Sequence, residues 1–349
     1  MKIGKYILLW LGLMGVATVH AQQSDEISVT KIWDKSPHDA FPDLIKFKNY
    51  YYCTVREASD HVSNKSDGKV RVIRSKDGKQ WESVNLFESD TEDVREARLS
   101  VRPDGTLMAI VAAGKFRDGR YWTLTPYASF SDKAGENFTP LQKVTYGTGI
   151  QPTLDWIWRV TWHKGVGYGV MYSITYTDVN GKWKRDMYAQ VLKTTDGKRF
   201  DKVADLPVGG SPNEATIRFD AKGKMYIVIR RETEDQLGVL YASLPPYQNW
   251  SYEKLNIRLG GPNFLFLDKN HFVLGTRFHE AKGASTALHV MDLKGNIKKT
   301  ITLPSSGDNS YPGLVIEKDT LLVAYYSSHE KKSSIYLARV PLKLLRVTD

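Results

Sequence analysis

From residue 27 onward, apolar and β-branched residues alternate with polar ones in short runs, and most runs stop at a Lys-Asn, Asp-Gly or Lys-Gly pair. That is the pattern of half-buried strands joined by tight turns, and the i, i+3, i+4 spacing of long amphipathic helices is missing. The runs group into units recurring about every fifty residues. Their first strands are predicted at Phe41–Leu44, Ala97–Ser100, Trp158–Thr161, Glu214–Ile217, Asn263–Phe266 and Tyr311–Leu314. Second strands follow at Leu107–Ala112, Tyr168–Ser173, Met225–Ile229, Phe272–Thr276 and Leu321–Tyr326. Six units of about four strands predict an all-β, six-bladed β-propeller. The last unit shows only three clear strands, ending at Ser334–Arg339, and Ile27–Trp33 supplies its fourth, which closes the ring and removes exposed edges. A β-sandwich would use the same strands but gives no reason for the regular spacing.

A short phrase occurs twice and strengthens the repeat. Ser75, Asp77, Gly78 and Trp81 match Thr194, Asp196, Gly197 and Phe200 position for position, each after an apolar strand. The Asp can bond the turn's amides, Gly accepts a positive φ, and the aromatic plugs a gap between sheets.

Composition adds boundaries rather than chemistry. Residues 1–21 read as a secretory signal peptide: Lys2 and Lys5, an apolar run from Tyr6 to Ala17, and a small-x-small site at Val19–Ala21. Residues 22–349 then form one domain, periplasmic or secreted, with no second run apolar enough to span a membrane. The lone cysteine, Cys53, excludes an intramolecular disulfide and sits in an apolar strand, as a core residue does. Metal sites built on Cys are excluded and the histidines show no ligand spacing, so neither a metal nor a cofactor is expected. The formal net charge is +10, two units of which leave with Lys2 and Lys5. The basic residues are scattered, so the charge suits a solvated surface or an acidic glycan and gives no nucleic-acid motif. A monomer is expected.

Propellers gather function at the end of the channel where innermost strands begin. Polar residues at those points are Arg56, Asp60, Arg98, Arg159, His163, Glu214, Arg230, Arg231, Arg277, Tyr311 and His329. Singly, an Arg at a strand end is most often a solvated or ion-paired residue. Their recurrence at corresponding strand ends of different blades marks a shared pocket.

On these residues the chain resembles the sialidase (neuraminidase) superfamily over nearly its whole length after residue 21. The doubled turn phrase is similar to that family's Asp-box, a structural element. Arg56 followed by Asp60 resembles the family's pocket Arg and acid/base Asp. Glu214, with Arg230 or Arg231 at the end of the next strand, resembles the activating Glu and a triad Arg. Arg277 resembles the next Arg, and Tyr311 the nucleophile. The family's first clamp Arg is missing, because Ala40 stands in its place, and Ser327 replaces the Glu that would steady it. Both halves of one charge pair are therefore gone together, which avoids stranding either.

The resemblance implies a secreted exo-glycosidase that removes a terminal, acidic or sialic-acid-like sugar from a complex glycan by double displacement. Asp60, Glu214 and Tyr311 would be catalytic, and Arg56, Arg98, Arg159, His163, Arg230, Arg231, Arg277 and His329 would bind substrate. The alternatives are a non-catalytic glycan-binding propeller, or a polysaccharide lyase or His-dependent glycosidase using His163 or His329.

Overall fold

The computed structural model describes residues 26–62 and 65–347, so the expected signal peptide at 1–21 lies outside the described residues. Those residues form antiparallel blades, with one 3-10 turn at Leu342–Leu345. The innermost strands are His38–Phe47, Asp93–Val101, Leu154–His163, Pro212–Phe219, Asn263–Phe266 and Asn309–Glu317, one for each of six blades. The six-bladed propeller expected from the spacing is the observed fold.

Closure also follows the expectation. Ser28–Trp33 pairs antiparallel with Lys332–Pro341, so the last blade takes strands from both ends of the chain. Lys31 Nζ lies 2.9 Å from Glu330 on that blade, while Trp33 Nε1 donates to Glu57 on the first blade at 2.8 Å. The strand therefore seals the seam between first and last blades.

The apolar core lies between blades. Val70, Val94, Leu99 and Val111 fill one gap; Val191, Ala215, Ile217 and Ile227 fill another; Val273, Val290, Val323 and Val340 fill a third. Alternation places one face of each strand in such a gap, which is why a period of two was visible in the sequence. Cys53 is fully buried, as expected, in a further apolar cluster with Leu44, Ile73 and Leu322.

The doubled turn joins third and fourth strands in two blades. Asp77 accepts from the amides of Lys79 and Gln80 at 2.8 and 3.1 Å, and Asp196 accepts from those of Lys198 and Arg199 at 2.7 and 3.0 Å. Gly78 and Gly197 have φ of 68° and 77°. Phe200 is fully buried, whereas Trp81 packs half-buried against the core.

One irregularity organises the channel mouth. Five inner strands carry two residues opposite one, at Phe41-Pro42, Glu96-Ala97, Trp158-Arg159, Asn213-Glu214 and Tyr311-Pro312. Phe41, Glu96 and Tyr311 hold φ of 54°, 49° and 55°, a conformation non-glycine residues avoid unless their surroundings impose it. Bulges re-aim side chains, and here the same device is used blade after blade at one end of the channel.

Candidate functional site

The bulges bring Tyr311, Trp158 and Phe41 together. The Tyr311 ring centroid lies 5.0 Å from Phe41 and 5.8 Å from Trp158, both edge-on. Arg98 lies beneath, 4.4 Å from the Trp158 ring centroid, with its guanidinium donating to the carbonyl of Pro42 at 2.5 Å. Tyr311 also needs Gly261, whose φ is 59°. A Cβ there would sit 2.3 Å from Tyr311 Cγ, so only glycine lets the ring pack against this turn.

Tyr311 Oη donates to Glu214 Oε1 at 2.5 Å, and Arg230 donates to both, at 2.9 Å to Glu214 and 3.0 Å to Tyr311. The other Glu214 oxygen accepts from the Gly261 amide at 2.7 Å. Glu232 holds the far side of Arg230 at 2.7 Å and is itself held by Asn213 at 2.9 Å. Burial pushes the Glu214 pKa up, but the Arg230 charge and the Tyr311 and Gly261 hydrogen bonds outweigh it and hold the carboxyl below its usual range. Burial and the Glu214 charge push Tyr311 well above an ordinary phenol. The pair thus holds a proton on Tyr311 beside an ionised carboxylate. A phenol so placed can attack an electrophilic carbon as its proton passes to Glu214.

Around this pair the mouth is strongly polar. Arg277 donates to the Asn309 carbonyl at 2.7 Å, to Tyr326 Oη at 2.9 Å and to Asp308 at 3.1 Å, with its guanidinium 5.5 Å from the Tyr311 ring centroid. Arg56 is fully buried and bidentate on Asp93, and Arg95 shares that carboxylate at 2.9 Å. Glu96 lies between Arg95 and Arg98, at 3.6 and 3.5 Å. Burial lifts its carboxyl to about 7, with the Glu214 charge adding to the effect and the arginines opposing it.

Asp60 is exposed on the loop after the second strand of the first blade. Its carbonyl accepts from Arg56 at 2.9 Å and its carboxylate from the His61 amide at 2.7 Å, and it makes no hydrogen bond to Tyr311 or Glu214.

Four expected substrate contacts are placed elsewhere. Arg159 is buried in the channel and paired with Asp43 at 2.9 Å, so its charge is already matched. His163 ends the strand that begins at Leu154, at the opposite mouth from Tyr311, and stacks on Phe219 at 4.2 Å. That strand starts earlier than the predicted Trp158, which instead marks a bulge within it. Arg231 is buried under the loop leading to Leu237, bonded to the Gly209 carbonyl at 2.8 Å and paired with Glu234 and Asp235, so Arg230 alone reaches the pair. His329 bonds Ser327 at 2.8 Å and packs on Tyr336, with no hydrogen bond to Tyr311 or Glu214. Arg98 supports the floor and is closed to solvent.

Glu232, Asp308, Tyr326, His38 and His61 belong to the site and were not singled out as site residues in the sequence. The only signal is position: Asp308 lies three residues before Tyr311, and His61 follows Asp60. A separate cavity of about 500 Å³, lined by Arg159, Arg218, Thr161 and Leu314, opens at the other mouth and touches none of the Tyr311 constellation.

No family model and no curated protein matches the sequence. Solved structures do match the fold. A Dyadobacter fermentans protein of unknown function is similar over 90% of this chain and 98% of its own, with TM-score 0.76 and 18% identity. Trypanosoma rangeli sialidase in complex with sialic acid is similar over 91% of this chain and 59% of its own, with TM-score 0.70 and 12% identity. Phage phi92 endosialidase is similar over 93% of this chain and 70% of its own, with TM-score 0.63 and 10% identity. The class defined by the fold is the sialidase-like six-bladed propeller. The chain spans about three-fifths of the Trypanosoma sialidase it matches.

Proposed function

We propose that the protein is a glycoside hydrolase of the sialidase-like class, exported from the cell, which removes a terminal acidic sugar from a complex glycan. The observation that carries this reading is the 2.5 Å hydrogen bond from Tyr311 to an ionised Glu214, clamped by Arg230. A lectin has no need of a phenol aimed at a buried base. In the first step Tyr311 Oη bonds to the anomeric carbon, its proton passes to Glu214, and the bond to the leaving oxygen breaks. Asp60, on the rim loop, gives that oxygen a proton. In the second step Asp60 takes a proton from water, the water oxygen displaces Tyr311, and Glu214 returns the phenol's proton. Arg230 and Arg277 supply positive charge for an acidic sugar, and a neutral phenol meets such a sugar without the repulsion a carboxylate would suffer.

Exposed aromatic residues support a glycan as the larger substrate. The third blade's second strand, Val166–Val179, runs past Leu154, so its hairpin overhangs the mouth that holds Tyr311. Trp183 on that hairpin and Trp122 on the second blade are about half exposed, with the Arg120 guanidinium 4.0 and 4.8 Å from their ring centroids. Flat rings beside a guanidinium are suited to stacking on sugar faces and binding acidic groups.

The test is a panel of aryl glycosides and polysaccharides, including sialosides, with released sugar as the readout. Turnover of an acidic glycoside is expected. Silence across the panel, with glycan binding retained, would favour the non-catalytic reading.

A further inference from the structure

The mouth holds a second constellation that the Tyr311–Glu214 chemistry does not use. His38, on the inner strand of the first blade, places Nε2 2.9 Å from Asp308 Oδ2. His61, on the loop after the next strand, places Nδ1 2.6 Å from the same oxygen. The three donor atoms lie within 4.8 Å of one another. Asp308's other oxygen is held by Tyr326 at 2.7 Å and by Arg277 at 3.1 Å, so the carboxylate cannot rotate away. His38 is fixed by burial, while the His61 side chain is 38% exposed.

We propose that His38, His61 and Asp308 bind a divalent transition metal of the Zn²⁺ class. Two imidazoles and one carboxylate suit such ions, and three protein ligands leave at least one coordination position open. In a tetrahedral site with bonds of about 2.0–2.2 Å, ligand atoms stand roughly 3.3 Å apart. The His–Asp spacings of 2.6 and 2.9 Å must open slightly and the His38–His61 spacing, up to 4.8 Å, must close, a movement the partly exposed His61 can make.

The location gives the ion a role. His38 precedes Ala40 by two residues on one strand, so both face the same side, and Ala40 stands where sialidases carry the missing clamp Arg. A His₂Asp-bound divalent ion restores one positive charge there and offers an open position for a carboxylate or hydroxyl oxygen of the sugar. It also ties the first blade to the loop that opens the last one. The sugar contact rests on the glycosidase reading; the metal site does not.

The experiment is titration of the chelator-stripped full-length protein with Zn²⁺ by calorimetry and with Co²⁺ by visible absorption, without any glycan. We expect one ion per chain and the strong visible bands of low-coordinate, His-ligated Co²⁺. His61→Ala should weaken binding by roughly tenfold or more and remove the bands, whereas His329→Gln should leave both unchanged. His38→Gln should behave as His61→Ala does; if it fails to fold, the exposed-loop variant His61→Ala decides. No binding at about 100 μM metal, or binding that His61→Ala leaves intact, would overturn the site. Either result leaves the glycosidase reading to its own glycoside panel.

Discussion

The smallest unit that matters here is one proton between Tyr311 and Glu214. The phenol carries it because Glu214 is stabilised as an anion by Arg230 and the Gly261 amide. Glu96, in the bulge of the second blade, behaves oppositely. Its folded carboxyl keeps a proton up to about 7, whereas a free Glu releases it near 4.5. Its contribution to stability is therefore complete below that lower value and is lost as pH rises towards 7. Glu96→Gln should flatten this decline, seen as a smaller difference in melting temperature between about pH 5 and pH 8. Asp39, raised to about 6 mainly by burial, will leave part of the slope in place. Asp60→Ala should slow glycosides with poor leaving groups more than activated aryl ones, since only the former need protonation. Equal losses on both kinds of leaving group would remove Asp60 from that role. Tyr311 and Glu214 were legible in sequence because each lies near the start of the inner strand of a recurring unit. The Asp308 cluster was not: His38 and His61 lie 270 and 247 residues from their partner, and only ring closure brings them together.

At the scale of single elements, turns and bulges divide the work. The doubled phrase shapes turns on the outer strands, and its two aromatics are not equivalent. Phe200 is fully buried, so Phe200→Ala should cost roughly 3–5 kcal/mol, while half-buried Trp81→Ala should cost less, by denaturant unfolding. Neither should alter turnover beyond the loss of folded protein. Gly261→Ala is expected to act the other way. Its Cβ would press into the Tyr311 ring at 2.3 Å, so Tyr311 must move and turnover should fall more than stability does. Unchanged turnover in Gly261→Ala would mean that Tyr311's position is not critical. The bulges themselves could not be read from alternation, because one extra residue shifts the phase of a strand and the pairs that carry it share no residue type, from Phe41-Pro42 to Asn213-Glu214. That is why His163 was placed at the wrong mouth and Arg159 was read as a pocket residue, when it neutralises Asp43 inside the channel.

For the whole molecule, the six-unit spacing carried the architecture, since each blade buries its faces only against its neighbours. The blade boundaries were legible to within a few residues; the charges lining the mouth were not, because their pairing depends on which bulges meet around the ring. Deleting Ser28–Trp33 should lower the melting temperature sharply. The last blade loses its fourth strand, and the seam loses the Lys31–Glu330 and Trp33–Glu57 contacts. An unchanged melting temperature would mean that the seam is held without that strand.

The decisive measurement compares the wild-type protein with Tyr311→Phe on the acidic glycoside that the wild type turns over fastest, at matched folded concentration. That substitution removes one oxygen and leaves Glu214 paired with Arg230. The expected result is an unaltered melting curve, retained glycan binding and turnover lower by several orders of magnitude. A Tyr311→Phe protein that hydrolyses the glycoside at the wild-type rate would contradict the assignment of Tyr311 as nucleophile.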